Sequence, residues 1–316
     1  MTLRQHIHKM ILKYEKLFDD EIKEFIRISE SFSQETVGES VEEMRRSYNE
    51  MVKYFRQARP SCVQVEDKKV AFKERSLIYR QYSKGIDSMS DLIYFHGGGF
   101  VLGNLESHDD ICAEICESTG CNVFSLDYSL APEVKYPEFF LDAIRFYYFI
   151  KNPDRRLILV GDSAGGTLAG FVANKVRNIA IRPEAQVLIY PDLAGQINKA
   201  NKRKFFDAPL LTQDDIHFYH RCAGLPAKKG LHDLTRNFDN DNMPKTLLVS
   251  AEIDPLAEDY PVYLESLKQH GCDITFLEGK GLPHGFLRAR HLSKKARSVF
   301  EEITKFITQT IKTKVQ

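Results

Sequence analysis

The 316-residue sequence predicts an α/β fold in which a mostly parallel central sheet is flanked by helices. Short apolar runs of strand length recur along the chain, and stretches with helical spacing of apolar residues separate them. The predicted parallel strands are residues 92–95, 122–126, 156–160, 186–190, 246–250 and 273–277, preceded by an antiparallel pair at 63–71 and 77–82. The separating helices are predicted at residues 110–118, 138–150, 166–176 and 289–311.

One strand-to-helix connection of this pattern reads Gly-Asp-Ser-Ala-Gly at residues 161–165. A Gly-x-Ser-x-Gly turn between a strand and a helix is the nucleophile elbow, which presents a serine hydroxyl on a sharp, strained turn. The hydroxyl of Ser163 is therefore expected at the carboxyl edge of the sheet, beside the positive end of the next helix. Ordinary strand-to-helix connections and phosphate-binding turns have similar patterns, so this motif alone does not establish a catalytic serine.

A second glycine-rich turn follows the predicted strand at 92–95 and reads His-Gly-Gly-Gly-Phe at residues 96–100. Consecutive glycines allow successive backbone N–H groups to point at one spot. Acyl transfer needs such donors for the developing oxyanion, and each donor typically contributes about 10²–10³ in rate. The alternative is a glycine turn without a chemical role. We expect His96 itself to be structural and not a catalytic base.

An acid and a histidine follow two later predicted strands. Asp254 comes directly after the strand at 246–250 and before Pro255, which cannot continue a strand ladder. His284 lies in the loop after the strand at 273–277 and is followed by a glycine. The chain order Ser163, Asp254, His284 is that of α/β-hydrolases and differs from the orders in chymotrypsin-like and subtilisin-like proteases.

Other residues compete for the acid and base positions. Glu258 and Asp259 are expected on a helix, and Asp162 is expected to point away from the histidine and to be structural. The remaining competitors have less suitable positions in the pattern, and they are Glu252, His217, His220, His270 and His291.

Taken together, the motifs resemble the hormone-sensitive-lipase family of α/β-hydrolases, and most closely its bacterial acetyl esterase branch. The resemblance extends from about His96 to beyond His284. The matching stretches are His-Gly-Gly-Gly-Phe-Val-Leu-Gly-Asn-Leu-Glu-Ser-His-Asp at 96–109, Asp-Tyr-Ser-Leu-Ala-Pro-Glu at 127–133, Gly-Asp-Ser-Ala-Gly-Gly at 161–166, Tyr-Pro at 190–191, Ala-Glu-Ile-Asp-Pro-Leu at 251–256 and Pro-His-Gly-Phe at 283–286.

The resemblance implies an α/β-hydrolase fold with a helical cap and a role for each site residue. Ser163 is implied as the nucleophile, His284 as the general base and then acid, and Asp254 as the group that orients the imidazole. The implied oxyanion-hole residues are Gly97, Gly98, Gly99 and Ala164. The implied substrates are esters of short acyl chains, acetyl to butyryl, and neither a cofactor nor a metal is expected. One departure is Ser129, where the family commonly has an arginine, and this puts a supporting salt bridge in doubt.

Composition limits the remaining function classes. The formal net charge is +0 and the sequence pI is about 7.1, so no nucleic-acid surface is indicated. The six cysteines form neither a CxxC pair nor a zinc-like cluster, and no apolar run approaches the ~20 residues of a membrane span. The charged N-terminus lacks the apolar centre of a signal peptide. We therefore expect a cytoplasmic protein with a small-molecule ester substrate.

Two segments do not belong to the alternating series of predicted strands and helices. Residues 1–58 are predicted as helices that form a cap over a catalytic domain at 59–316, and residues 195–242 as a second cap segment. Ser40 and Glu43 have the form of a capping box, and Thr212 begins another predicted helix. The plainer alternative is helices docked on the domain. The apolar face of the first helix is predicted to include Ile7, Met10, Ile11, Tyr14, Leu17, Phe18, Ile22, Phe25 and Ile26.

Three other functions stay open on the sequence alone. A hydrolase scaffold can act as a non-catalytic binding protein, although Ser163, Asp254 and His284 are all present here. The same site chemistry can cleave some amides, so an amidase or deacetylase remains possible. A serine peptidase of this fold usually has an extra domain, for which this length leaves no room.

Overall fold

The computed structural model describes residues 13–32, 40–73, 75–85, 88–193, 203–226, 230–235 and 241–312. Eight strands are found within these ranges, and all join one sheet. They are β1 (Gln64–Ala71), β2 (Ser76–Ser83), β3 (Ser90–Phe95), β4 (Asn122–Asp127), β5 (Arg156–Asp162), β6 (Ala185–Ile189), β7 (Lys245–Ile253) and β8 (Ile274–Pro283).

The sheet has the order β1-β2-β4-β3-β5-β6-β7-β8. β2 is antiparallel to both β1 and β4, and every other neighbouring pair from β4 to β8 is parallel. The predicted antiparallel pair and parallel strands are thus confirmed. Because the carboxyl ends of parallel strands meet at one edge, the loops after β3, β5, β7 and β8 are neighbours there.

Two α-helices of the described residues precede β1, and from β3 onward the others alternate with the strands. The helices are α1 (Asp20–Glu30), α2 (Val41–Phe55), α3 (Asp109–Thr119), α4 (Glu138–Ile150), α5 (Ala164–Val176), α6 (Gln213–Ala223), α7 (Tyr260–Gln269) and α8 (Lys294–Lys312). The predicted capping boxes at the starts of α2 and α6 are present, with Ser40 and Glu43 in the first and Thr212 and Asp215 in the second.

Two helix predictions need correction. The helix predicted at 289–311 is divided into a 3₁₀ helix, Phe286–His291, and α8. The first predicted helical face is also interrupted, because a turn at residues 15–18 precedes Asp19, whose carboxylate accepts a hydrogen bond from the Ile22 N–H and begins α1. The predicted face also included Ile7, Met10 and Ile11, which lie outside the described residues.

Apolar side chains of the strands alternate between the two faces of the sheet, as the period of a strand requires. Leu92 and Tyr94 belong to the core that contains the apolar faces of α1, α3 and α8. Ile93 and Phe95 belong to the opposite core, which contains those of α4, α5 and α7. The sheet is therefore covered on both faces, and its carboxyl edge is the place where polar side chains gather.

Candidate active site

Ser163 lies on a sharp turn between β5 and α5. Its backbone has φ 52° and ψ −124°, a region that non-glycine residues seldom adopt. The flanking glycines permit this turn, since a Cβ on Gly165 would lie 2.0 Å from the Phe95 carbonyl oxygen. A Cβ on Gly161 would lie 2.2 Å from the carbonyl oxygen of Gly165. The five-residue pattern therefore has a steric cause, and the turn is the predicted elbow.

Ser163, His284 and Asp254 form one line of hydrogen bonds. The Ser163 Oγ lies 2.9 Å from the Nε2 of His284, and the Nδ1 of His284 lies 2.6 Å from the Oδ2 of Asp254. Asp254 is fully buried, and its Oδ1 accepts a hydrogen bond of 2.8 Å from the Leu256 N–H. Because the carboxylate is held on both oxygens, it favours the imidazole tautomer with a proton on Nδ1 and a lone pair facing the serine.

The competing acids and histidines have other partners. Glu252 accepts a hydrogen bond from the Gly281 N–H, and Asp259 forms an ion pair with Arg203. Glu258 accepts one from the Lys204 N–H. The competing histidines also contact groups other than Ser163: His270 the Ser266 carbonyl oxygen, His291 the carboxylate of Glu114, His217 that of Asp214 and His220 that of Asp192.

The glycine loop after β3 lies beside the elbow. Gly98 has φ 124°, and a Cβ there would lie 2.2 Å from the Leu102 carbonyl oxygen, so the loop requires glycine at this position. Among the described residues, the N–H groups of Gly98, Gly99 and Ala164 have no hydrogen-bond acceptor. All three residues border the same cavity as Ser163. Their N–H groups therefore remain available to an oxygen bound there.

Gly97, the fourth residue predicted for the oxyanion hole, differs from the other three in that its backbone N–H already has an acceptor. Its N–H donates a 3.0 Å hydrogen bond to Oδ1 of Asp162, so it has no donor left for a substrate oxygen. A buried carboxylate requires hydrogen-bond donors, and this backbone N–H is one of the donors that Asp162 receives. The sequence does not predict this hydrogen bond, because Gly97 follows β3 and Asp162 ends β5.

Asp162 is the centre of a buried network behind the elbow. The Tyr94 hydroxyl donates to it at 2.8 Å, and the Nε2 of His108 lies 3.2 Å from the same oxygen. Burial alone would raise the pKa of Asp162, but His108, Tyr94 and the more distant charge of Arg288 together lower it to about 2. Asp162 is thus an ionised structural residue that fixes the glycine loop, and it does not contact His284.

His96 is structural in its contacts. It is fully buried, its Nδ1 lies 2.9 Å from the Gly97 carbonyl oxygen, and its ring stacks on Tyr128 at 4.3 Å between centroids. Burial lowers the pKa of His96 to about 3, so the ring is neutral at physiological pH. Neither Tyr94 nor His108 was singled out by sequence reasoning. His108 lay within a family-like stretch, whereas Tyr94 looks like an ordinary core residue of a strand.

Ser129, which stands where an arginine was expected, has Arg75 and Asp142 as hydrogen-bond partners. The Arg75 guanidinium donates to the Ser129 Oγ at 2.8 Å and to the Asp142 Oδ1 at 3.0 Å. The Ser129 hydroxyl donates to the Asp142 Oδ2 at 2.6 Å. A guanidinium from the turn before β2 thus reaches the site near Ser129, and Arg145 of α4 approaches the same carboxylate at 3.3 Å.

A cavity of about 490 Å³ lies over Ser163. Part of its wall comes from α1 and α2, with Phe25, Met44 and Tyr48. Another part comes from residues 210–220, and it includes the ring of Tyr219, against which a Cβ on Gly99 would clash at 2.5 Å. The aromatic residues Phe205, Phe206 and Phe218 of the predicted second cap segment do not border this cavity.

The described part of the chain contains no group of three or more His, Cys, Asp or Glu side chains that could hold a metal ion. In the same residues, no helix has the length and apolar character needed to cross a membrane. All six cysteines are free thiols, three of them buried.

Comparison with known proteins identifies the family. The model of the family described as alpha/beta hydrolase fold matches residues 92–288, which is more than half of the chain, and the protein therefore belongs to this family. The resemblance to acetyl esterases that the motifs indicated is confirmed by curated relatives. An acetyl esterase of Salmonella paratyphi A is 30% identical over 247 residues, which cover 74% of this chain and 76% of the relative.

Two further matches agree with this family. An ethyl acetate hydrolase of Pseudomonas putida is 30% identical over 219 residues, covering 65% of this chain and 68% of the relative. A solved structure of an esterase from Pyrobaculum calidifontis has a TM-score of 0.81 and 26% identity, and covers 90% of this chain and 97% of that one. The α/β-hydrolase fold predicted from the sequence is thus confirmed by relatives that are themselves ester hydrolases.

Proposed function

We propose that this protein is a serine carboxylesterase that hydrolyses esters of short acyl chains, acetyl to butyryl. The observation that carries the proposal is the hydrogen-bonded line from Ser163 through His284 to Asp254, with contacts of 2.9 and 2.6 Å. A nucleophile, a base and an orienting group within hydrogen-bond reach are the requirement for covalent acyl transfer. The family relatives named for acetyl esters and ethyl acetate support the short acyl chain.

The reaction proceeds through an acyl-enzyme. His284 accepts the proton of the Ser163 hydroxyl through Nε2 as the oxygen attacks the ester carbonyl carbon. The N–H groups of Gly98, Gly99 and Ala164 hold the negative oxygen of the tetrahedral intermediate. When this collapses, the alcohol departs with the proton from His284. A water molecule, deprotonated by the same imidazole, then attacks the acyl-enzyme and releases the acid and the serine.

We further propose that residues 1–58 and 195–242 act as two segments of a cap over a catalytic domain at 59–316. Support comes from the cavity walls, to which α1 and α2 contribute on one side and α6 on another. A cover of this kind excludes water and strengthens the electrostatic interactions beneath it. Residues 1–12, 33–39, 194–202, 227–229 and 236–240 of these segments lie outside the described residues. A cytoplasmic location likewise stays a prediction.

The test is the hydrolysis of p-nitrophenyl esters from acetate to dodecanoate by the wild type and by Ser163→Ala. We expect activity to peak at short chains and to fall at least about 10³-fold in the variant, since the nucleophile is lost. Ser266→Ala, on α7 and outside the cavity, is the matched control and should retain wild-type rates.

Two outcomes would contradict the proposal. Equal rates in wild type and Ser163→Ala, with ligand binding retained, would favour a non-catalytic binding protein. Faster cleavage of 4-nitroacetanilide than of p-nitrophenyl acetate would favour an amidase with the same site.

A further inference from the structure

Arg288 is a cation in the wall of the active-site cavity that the proposed mechanism does not use. It follows His284 by four residues, within the 3₁₀ helix Phe286–His291, and it borders the same cavity as Ser163. Its side chain is half-buried. A buried or partly buried cation normally has a carboxylate partner, because removing its charge from water is costly.

The hydrogen-bond partners of Arg288 are all neutral. Nη1 donates to the Ser107 carbonyl oxygen at 2.8 Å, and Nη2 donates to the Tyr48 hydroxyl at 2.6 Å and lies 3.5 Å from the Nε2 of His108. Burial raises the pKa of Tyr48 and lowers the pKa of His108, so both side chains are uncharged at neutral pH. Within the described ranges, no carboxylate lies within 4 Å of this guanidinium.

Neighbouring charges do not serve as its direct partner. Asp162 lies beyond His108 and already accepts hydrogen bonds from Tyr94 and the Gly97 N–H. Arg290, two residues further on, provides the contrast, because it pairs with both Asp110 and Glu114 at 2.6 Å. The chain thus places two arginines in one turn, of which one is fully paired and the other faces the cavity.

We propose that Arg288 is a substrate-positioning residue that binds an anionic group, a carboxylate in the first instance, carried by the ester substrate. The proposal rests on the esterase function above and narrows its substrate class to esters that bear a negative charge near the scissile bond. A guanidinium offers two parallel N–H donors that match the two oxygens of a carboxylate. In a cavity walled mostly by apolar side chains, such a pair fixes the orientation of the ligand.

Four acidic residues of the described ranges border the cavity. Glu30 accepts a hydrogen bond from the Leu210 N–H, and Asp162 has the donors named above. The other two lie on the α6 side. Asp192 is held by the Nε2 of His220 at 2.5 Å, and Asp215 accepts hydrogen bonds from the N–H and hydroxyl of Thr212 at the start of α6. Each of these carboxylates therefore has its own donors on the α6 side of the cavity. The Arg288 side is bordered by Tyr48 and His108 and has no acidic group in contact with the cation.

The experiment compares an ester that carries a carboxylate with a neutral analogue of similar length, on either side of the scissile bond. On the acyl side, the pair is p-nitrophenyl hydrogen glutarate and p-nitrophenyl pentanoate. On the alcohol side, the pair is 4-carboxyphenyl butyrate and 4-carbamoylphenyl butyrate. The measured quantity is the ratio of kcat/KM for the anionic and the neutral member. Comparing this ratio between variants cancels the intrinsic reactivity of each ester.

We expect Arg288→Gln to lower the ratio by roughly ten- to a hundredfold for one of the two pairs, the effect of one charge-assisted hydrogen bond. Arg288→Lys keeps the charge but not the two parallel donors, so its ratio should lie between those of the wild type and of Arg288→Gln. Tyr48→Phe removes a contact of Arg288 in α2 but not the charge, and should change the ratio less than threefold. The pair that responds identifies whether the anion lies in the acyl or the alcohol portion.

An unchanged ratio in a folded Arg288→Gln protein would overturn the anion site. Arg288 would then only connect α2 to the loop that contains Ser107. If that variant does not fold, inhibition of the wild type is the test. Glutarate should then inhibit ester hydrolysis at least tenfold more strongly than the neutral glutaramide. Equal inhibition by the two would also overturn the site. If the wild type hydrolyses none of the esters faster than Ser163→Ala does, the esterase function on which this inference depends is overturned instead.

Discussion

At the scale of single residues, the site depends on a few side chains whose partners are buried. Asp254 is held by the Leu256 N–H, so it can orient His284 without moving. Asp162 plays the equivalent part for the glycine loop, because its Oδ1 accepts hydrogen bonds from both Tyr94 and the Gly97 N–H. In the proposed mechanism, one carboxylate thus positions the base, and the other positions the loop that supplies oxyanion donors. Only the first contacts His284.

The low pKa of Asp162 has a consequence for stability. In the folded protein its pKa is about 2, against an ordinary 3.8, so the folded state keeps this carboxylate ionised at lower pH than the unfolded chain does. Its contribution to stability, about 2 kcal/mol, is complete above pH 4 and is lost as the pH falls towards 2. Asp162→Asn cannot titrate. The free-energy difference between the two proteins should therefore be largest above pH 4 and shrink below it.

Urea unfolding of both proteins at intervals between pH 6 and pH 2.5 measures this difference. Other carboxylates titrate in the same range, but their effect is common to both proteins and cancels. A difference that does not vary with pH would mean that Asp162 has an ordinary pKa in the folded protein.

At the scale of elements, Arg45 connects α2 to two backbone carbonyl groups of the domain below it. The Nε of Arg45 donates to the Val101 carbonyl oxygen at 2.8 Å, and Nη2 donates to the Ala131 carbonyl oxygen at 2.7 Å. The same guanidinium pairs with Glu133, whose side chain is 60% exposed. The carbonyl contacts are the important ones, because α2 forms a cavity wall and these contacts join it to the loops around the glycine turn.

Arg45→Met and Glu133→Gln separate these two contributions. Arg45→Met leaves two carbonyl groups without their donor and should lower the free energy of unfolding by about 1–3 kcal/mol. Glu133→Gln removes only an exposed ion pair and should cost less than about 1 kcal/mol. Urea denaturation of both variants measures the costs. Equal losses would show that the ion pair, and not the carbonyl contacts, holds α2 in place.

At the scale of the whole molecule, a buried cluster of ion pairs connects the C-terminal part of the chain to α3. Arg290 is 2% exposed and connects the 3₁₀ helix after His284 to Asp110 and Glu114 of α3. The loop that carries His284 is therefore fixed from its C-terminal side by α3, in addition to the hydrogen bond between His284 and Asp254.

Arg290→Met should lower the free energy of unfolding by about 3–5 kcal/mol, because it leaves buried carboxylates without their main partner. Arg297 contacts the same Glu114 but is 38% exposed, and Arg297→Met should cost less than about 1 kcal/mol. Thermal and urea unfolding of both variants give the comparison. A small loss in Arg290→Met would mean that water enters and solvates the remaining carboxylates.

Much of the fold and of the candidate site was predictable from local patterns. Strands were found from apolar runs, helix starts from capping boxes such as Ser40 with Glu43, and the elbow from glycines that sterics require. These signals succeed because each depends on residues close together in the chain. Contacts between distant residues have no such local signal, and the hydrogen bond from the Gly97 N–H to Asp162 of β5 is an example.

The sequence by itself determined the order of strands and helices, the elbow at Ser163, and the choice of Asp254 and His284 as its partners. These follow from side-chain periodicity and from the rule that functional loops of a parallel sheet share its carboxyl edge. Only the tertiary structure decided which N–H groups of the described residues lack an acceptor, and that Arg75 contacts Ser129. It also decided that Arg288 borders the cavity with no carboxylate of the described residues within 4 Å. Such contacts join residues far apart in the chain, so the packing of the elements decides them.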